Sequence, residues 1–330
     1  MATLYAVGHP DDPHISKVLS HVRDLGCDAI PVASWSADPS RFHEASWSSA
    51  SGWTLTADWA FWLRNKHRVG AISSVEKQEE WWSHASTLEL FRSAARLGPI
   101  CFNSSGALAA TDNKVAQLEA AAAAGFLTPN TLVSNKKADI LAFLEGEGQC
   151  IVKPIHSMGV AAINGDMATA RFLPTLPITA HDVRNADADA IRVAPNIYQA
   201  LVPKAHELRT IAFGNETVSF QLDSQSHPYT ALDWRAGELL TPCHLVETPS
   251  ALVEPIRAYL ALTGLDTAVF DFAVRPDGQA VFFESNPSGQ WERMDALHGD
   301  PVSKMFARQM VVRMLTTFAS RPPSELRLVR

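Results

Sequence analysis

The residues best suited to chemistry gather late in the chain, in VFFESNPSGQW (Val281 to Trp291), where an apolar strand runs into Glu284, Ser285 and Asn286. Side chains two apart on a strand share a face, so Glu284 and Asn286 project together while Ser285 points away. Just upstream, AVFDFAVRPDGQAVFF reads as two strands about a Pro-Asp-Gly turn, which carries Asp271 back towards them. Whether Asp271 joins their face depends on register. A two-residue loop at Pro276 and Asp277 puts it there, and a slip of one residue turns it away. Two carboxylates and an amide oxygen are hard ligands of the kind Mg2+ takes, with phosphate oxygens completing its octahedron. The same residues also read as a solvated strand end with Asn286 capping before Pro287.

Basic residues suggest what such a metal would accompany. Lys153, in IVKPI, interrupts an apolar strand, where an ammonium is costly unless an anion meets it or its stem reaches water. Lys114 stands in the first turn of a helix, against the dipole preference, unless a phosphate binds there. In YQALVPKAHELRTIAFG, Gln199 opens an extended segment, and Glu207 and Arg209 alternate so as to share a face. Free backbone groups can read an adenine edge, a carboxylate can take ribose hydroxyls, and an arginine can hold phosphate oxygens bidentately. DWR, ending at Arg235, offers a second arginine. Taken singly, Lys153 also reads as an edge-strand lysine that snorkels to water, Lys114 as a plain surface lysine, Glu207 and Arg209 more readily as a surface cross-strand pair, and Arg235 as part of a solvated ion pair. His14, His156 and His206 are too scattered for metal ligands and read as packed or surface imidazoles.

The elements that must position these residues are those of an α/β protein. TLYAVG, PHISKVLSHVRDLG and CDAIPVAS read as strand, helix and strand, with Gly26 at the helix stop. TDNKVAQLEAAAAAGFLTP reads as a helix capped by Thr111 or Asp112, with Val115, Leu118 and Ala122 on one face, Gly125 at its end and Pro129 beyond. A strand at TLVS, a helix near ADILAFLE and the strand CIVKPI follow. Residues 164 to 190 show no strong period. Strands at IYQALV, LRTIAFG and TVSFQLD and a helix at SALVEPIRAYLALTG complete the set. A helix is also expected around residues 86 to 97, and the Trp- and Ser-rich stretch from 34 to 85 gives no clear period.

Composition narrows the classes. With 330 residues, 46% of them hydrophobic and 19% charged, the chain is long enough for two or three lobes and ordinary enough to fold. A net charge of -7 argues against a general nucleic-acid surface. No stretch is long and apolar enough to span a membrane, and the N-terminus lacks a signal pattern, so a cytoplasmic protein is expected. The 4 cysteines are far apart and form no C-x-x-C pair, as for reduced core thiols. The P-loop, dinucleotide, zincin and α/β-hydrolase signatures are all missing.

In order, Lys114, Lys153, Gln199, Glu207, Arg209, Asp271, Glu284 and Asn286 resemble the ATP-grasp superfamily of carboxylate ligases. The chain is most similar to the microviridin-type (graspetide) peptide macrocyclases, through DNKVAQLEAAAAAGFLTPNTLVSN, IVKP, YQALVPKAHELR, DWR and NPSGQW. The resemblance spans roughly residues 100 to 300. It implies an N-terminal α/β domain (1–105), a central ATP-grasp lobe (106–192) and a C-terminal ATP-grasp lobe (193–330). It makes Lys114 and Lys153 phosphate contacts, Gln199, Ala200, Leu201 and Val202 the adenine-reading hinge, and Glu207 a ribose or hinge contact. Asp271, Glu284 and Asn286 would hold Mg2+, Arg209 and Arg235 would flank the transferred phosphoryl group of ATP, and Ser288, Gly289 and Gln290 would lie by the acceptor carboxylate. The implied partner is a ribosomal precursor peptide, whose Asp or Glu side chain is joined to a Ser, Thr or Lys side chain; a homodimer is compatible with it, and neither nucleic acid nor membrane is expected. Alternatives are a ligase of free amino acids or another small carboxylate, and a nucleotide-binding module without catalysis. Two positions depart from the pattern: Ala200 replaces the hinge acid that commonly follows Gln, and WLRNKHR (residues 62–68) stands where an arginine-rich run is expected.

Overall fold

The computed structural model describes residues 3–8, 12–32, 46–49, 52–54, 59–64, 100–155 and 175–320, together with 82, 86, 89, 90, 93 and 95. Most of the Trp-rich stretch, WLRNKHR beyond Arg64, much of the expected 86–97 helix, and His156 therefore lie outside the described residues.

Strand β1 (Thr3–Val7) leads to helix α1 (Pro13–Asp24) and β2 (Asp28–Val32). Asp12 caps α1, Pro13 supplies its first turn, and Ile15, Val18, Leu19 and Val22 form its buried stripe. Gly26 adopts φ 83°, the left-handed conformation that ends the helix. Next come a short antiparallel hairpin, β3 (Ser46–Ser48) and β4 (Gly52–Thr54), then β5 (Trp59–Leu63) and β6 (Ile100–Phe102). Four of these strands form a parallel sheet in the order β2-β1-β5-β6.

After α2 (Ser105–Thr111) and α3 (Lys114–Ala123) the chain builds β7 (Thr131–Ser134), α4 (Lys137–Glu147), β8 (Cys150–Pro154), β9 (Leu176–Ile178), α5 (Ala180–Asn185), α6 (Ala188–Arg192) and β10 (Asn196–Ala200). The strands form an antiparallel sheet in the order β7-β10-β8-β9, with a small core of Ile140, Leu144, Cys150, Val183 and Tyr198. One expectation is corrected here: Asn113, rather than Thr111 or Asp112, caps α3 by accepting from Val115 N and Ala116 N. The fully buried residues of this helix are Gln117 and Ala121, while Leu118 is half-buried and Ala122 is exposed. Within the stretch read as aperiodic, Thr179 and Asp182 form a reciprocal capping box that starts α5.

The remaining strands, β11 (His206–Phe213), β12 (Glu216–Leu222), β13 (Cys243–Val246), β14 (Thr267–Val274) and β15 (Ala280–Asn286), make an antiparallel sheet in the order β13-β12-β11-β14-β15. Helix α7 (Ser250–Thr263) precedes β14; α8 (Glu292–Leu297) and the long α9 (Pro301–Ala319) follow β15. One core joins Leu4, Ala6 and Trp62 of the parallel sheet to Phe213, Phe306 and Met310. A second joins Tyr5 and Phe61 to Phe270, Phe272, Phe282 and Tyr259. The parallel sheet and the five-stranded sheet thus share their interiors, whereas the antiparallel β7-β10-β8-β9 sheet has its own. All 4 cysteines are free, and burial pushes the Cys101 thiol up to about 12.

Candidate active site

The register at Asp271 decides the site. The hairpin loop holds Val274 opposite Ala280 and Phe272 opposite Phe282. Continued unbroken, that ladder would set Asp271 against Phe283 and bury Glu284 on the core face. Instead the register shifts between Asp271 and Phe272: Phe283 becomes the extra residue of a β-bulge, and Asp271 stands directly opposite Glu284. The turn is longer than the two residues expected, and the bulge restores the shared face. Phe282 rather than Phe283 fills the core, while Phe283 is half-buried in the wall of a cleft. On the other side of Asp271, Arg209 of β11 is its direct partner, so Glu207, Arg209, Asp271 and Glu284 line one face of the sheet.

This face looks into an open cleft of about 720 Å³ between the two antiparallel sheets, lined by Lys114, Lys153, Gln199 to Val202, Glu207, Arg235, Asp271 and Glu284. Cations hold the carboxylates. Lys114 Nζ donates to Glu284 Oε2 at 2.7 Å, and Arg235 Nη2 bridges Glu284 Oε1 (2.5 Å) and Asp271 Oδ2 (2.9 Å). Arg209 Nη1 donates to Asp271 Oδ1 at 2.5 Å. Burial alone would raise the Glu284 pKa, yet Arg235 and Lys114 hold it well below the usual carboxylate range. Arg235 is the mirror case: burial lowers its pKa, but Glu284 and Asp271 more than reverse this. Lys153 makes no hydrogen bond among the described residues, and burial together with the neighbouring Lys114 pushes its pKa down to about 8.

The hinge side is built from β10. Gln199 is buried, and its Nε2 donates to Thr131 Oγ1 at 2.9 Å. Ala200 N and Leu201 N are spent on Asn130 O and Gln149 O, whereas the Val202 N–H has no partner among the described residues. Glu207 is buried and pairs with Lys204 Nζ at 2.6 Å; burial raises its pKa, and Lys204 opposes the rise.

No family model matches the chain, and no curated protein does. Solved structures do. A RiPP-associated ATP-grasp ligase of Chryseobacterium gregarium, in complex with ADP and a leader and core peptide, superposes with a TM-score of 0.76 at 19% identity, covering 100% of both chains. The macrocyclase MdnC of Microcystis aeruginosa MRC, bound with precursor peptide MdnA, gives 0.72 at 21% identity over 94% of this chain and 99% of that one. The ATP-grasp ligase PsnB, complexed with a phosphomimetic minimal precursor, Mg and ADP, gives 0.70 at 18% identity over 95% and 99%. The chain has the ATP-grasp fold.

Within the ATP-grasp fold the cleft lies where its two antiparallel sheets face each other. The carboxylate pair suits a hard divalent cation: Asp271 and Glu284 offer four oxygens on one face, and in this state Lys114, Arg209 and Arg235 neutralise them. Among the described residues no group of three or more His, Cys, Asp and Glu side chains is gathered, so a bound ion would draw its remaining ligands from an amide, water or phosphate. Asn286, expected as that amide, follows Glu284 by two residues, but its Oδ1 accepts from Ser288 N at 3.1 Å and it does not line the cleft.

The expected acceptor loop is held from behind. Ser288 and Gly289 are buried and Gln290 is exposed. The Gln290 carbonyl accepts from Arg209 Nε at 3.1 Å and Nη2 at 2.8 Å. Gly289 is required by close approach, since a Cβ there would meet Val269 Cβ and Cγ2 at 2.5 Å. Sequence reasoning missed three residues that set this geometry. Lys204 neutralises Glu207 and also donates to Leu232 O. Gln117 accepts from Ser285 N, between Glu284 and Asn286. Asn103, at φ 57°, ties Thr267 and Pro287 together through its amide. Lys204 had a signal, a lysine three residues before a buried-strand glutamate; the other two meet partners far along the chain, which local spacing does not reveal.

Proposed function

We propose that the chain is an ATP-dependent carboxylate ligase of a ribosomal precursor peptide, working in the cytoplasm as an ADP-forming ATP-grasp enzyme. One observation carries it: a single cleft sets Lys114, Lys153 and Arg235 beside the opposed carboxylates Asp271 and Glu284, facing a hinge whose Val202 N–H has no partner among the described residues. The three-part division at residues 105 and 192 belongs to the same reading.

Adenine would lie against Gln199 to Val202, with the Val202 N–H as donor to a ring nitrogen and Glu207 near the ribose. Lys114 and Lys153 would hold phosphate oxygens as point charges, and Arg235 would hold them through its fork. Mg2+ held by Asp271 and Glu284, with Asn286 turned from its loop, would supply charge neutralisation for phosphoryl transfer. Arg209 and Arg235 would stabilise charge on the moving phosphoryl group. The peptide carboxylate takes the γ-phosphoryl of ATP and ADP leaves; a Ser or Thr hydroxyl or Lys amine then attacks the acyl carbon, its proton is lost, and inorganic phosphate departs. No enzyme nucleophile is needed, in keeping with the missing Ser and Cys motifs. The loop from Ser288 to Gln290 would border the acceptor.

The test uses a short Thr- and Glu-rich peptide encoded in a neighbouring reading frame, incubated with the full chain, ATP and Mg2+. Mass spectrometry should show one water lost per bond formed, with matching ADP. Glu284→Gln should cut the rate by about a hundredfold, because it removes a ligand and unbalances Lys114 and Arg235. Condensation of free amino acids with no change in any peptide would instead mark a small-carboxylate ligase, and no ADP with any acceptor would mark a binding module.

A further inference from the structure

We propose that His14, from the first helix of the parallel-sheet layer, is a positioning residue for Arg209, acting through one peptide plane of the NPSGQW loop. The proposal rests on the ligase reading above. The group concerned is the peptide unit joining Gln290 to Trp291. Its carbonyl accepts from Arg209 Nε and Nη2 at 3.1 and 2.8 Å, and its N–H donates to His14 Nε2 at 3.0 Å. A peptide unit is planar and stiff, so the two ends cannot turn independently. Tilting the N–H away from His14 tilts the carbonyl away from Arg209, whose third nitrogen holds Asp271.

The imidazole is itself set for this task. Glu292 N also donates to His14 Nε2, at 3.1 Å, so this nitrogen faces two donors and must carry a lone pair. The ring proton is then on Nδ1, 2.6 Å from Asp12 Oδ1, and the carboxylate fixes the tautomer. Asp12 is fixed in turn. Its Oδ1 accepts from His14 N at 3.0 Å and its Oδ2 from Arg64 Nε at 2.7 Å. Burial would raise the Asp12 pKa, but His14 and Arg64 hold it below the usual range, so it stays ionised. The Trp291 ring is clamped as well, with the His14 ring edge-on at 4.6 Å and the Arg64 guanidinium 4.9 Å over its face. The chain of contacts runs from Asp12 through His14, the 290–291 peptide and Arg209 to Asp271. A plain core histidine would not need an acceptor nitrogen aimed at the backbone of this loop.

Two variants of the full chain separate positioning from bulk packing. His14→Leu keeps apolar volume and removes the acceptor; His14→Gln places an amide oxygen near the position of Nε2. With the Thr- and Glu-rich peptide, His14→Leu should lower kcat for ADP formation by about tenfold, in line with the cost of small misplacements at reacting centres. Its KM for ATP should stay within about twofold, since the hinge and lysines are untouched. Hydrogen exchange at Trp291 and Glu292 should accelerate, and His14→Gln should recover most of kcat and of the protection. An unchanged kcat in His14→Leu overturns the proposal, as does an equal loss in both variants or a parallel loss of ATP affinity. A wild-type chain that makes no ADP with any peptide sinks the ligase reading, and the proposal with it; variant failure against an active wild type sinks the proposal alone.

Discussion

Lys153 concentrates the logic of the cleft in one residue. Its side chain is half-buried on β8 without a hydrogen bond among the described residues, and desolvation and Lys114 outweigh the pull of Glu284, leaving a pKa of about 8. The ordinary lysine value is about 10.4, so the nucleotide-free site carries this charge below pH about 8 and loses it above. Phosphate favours the charged form, and linkage therefore makes nucleotide affinity fall as pH rises through that value. Between pH 7 and pH 9 the charged fraction drops from about nine in ten to about one in ten, so the Kd for a non-hydrolysable ATP analogue should rise by about tenfold. Lys153→Arg, charged across the whole range, should flatten the profile. Isothermal titration at the two pH values measures this, and a wild-type Kd that does not move would remove Lys153 from the phosphate contacts. The same residue was legible in the sequence because a lone lysine inside an apolar strand has few physical reasons to exist.

At the scale of elements, what could be read from the sequence was the alternation that puts Glu284 and Asn286 on one face and the turn that returns Asp271. The register could not be read. Val281, Phe282 and Phe283 are all apolar, so the run carries no parity, and only packing decides that Phe282 enters the core and Phe283 bulges towards the cleft. Helix α3 hid its buried face for a related reason: a run of alanines gives no period, and its one buried polar residue, Gln117, is there to hold Ser285 N. Asn286 is the converse case, an apt ligand by type whose oxygen is engaged by its own loop. That loop fits against β14 with no room to spare, because a Cβ on Gly289 would meet Val269 at 2.5 Å. Gly289→Ala should therefore cost about 1–3 kcal/mol through overpacking. It should also lower kcat by displacing the Gln290 carbonyl from Arg209. Urea unfolding and turnover of the same variant check both, and an unchanged stability would mean that the loop accommodates the methyl group by shifting freely.

Across the whole molecule, the arrangement of cores implies two unfolding units rather than the three layers that the strand orders suggest. The parallel sheet and the five-stranded sheet share both large cores, and Asn103 at the end of β6 binds the backbone of Thr267 and Pro287, so these layers should unfold together. Among the described residues the antiparallel four-stranded sheet has five buried hydrophobic residues of its own, with a rim of partly buried ones, and a core that small gives marginal stability. The cleft lies between these two units, with Lys153 and the hinge on one and Asp271 and Glu284 on the other. A nucleotide held from both sides stabilises the weaker unit by mass action, by about 2.7 kcal/mol at a hundredfold excess over Kd. Calorimetry of the nucleotide-free chain should accordingly show a small early transition ahead of the main one. With Mg2+ and a non-hydrolysable ATP analogue the early transition should move up towards the main one. Glu284→Gln should reduce that shift by weakening the grip from the five-stranded sheet. A single transition that does not respond to nucleotide would contradict both the separate core of the small lobe and the bridging of the cleft.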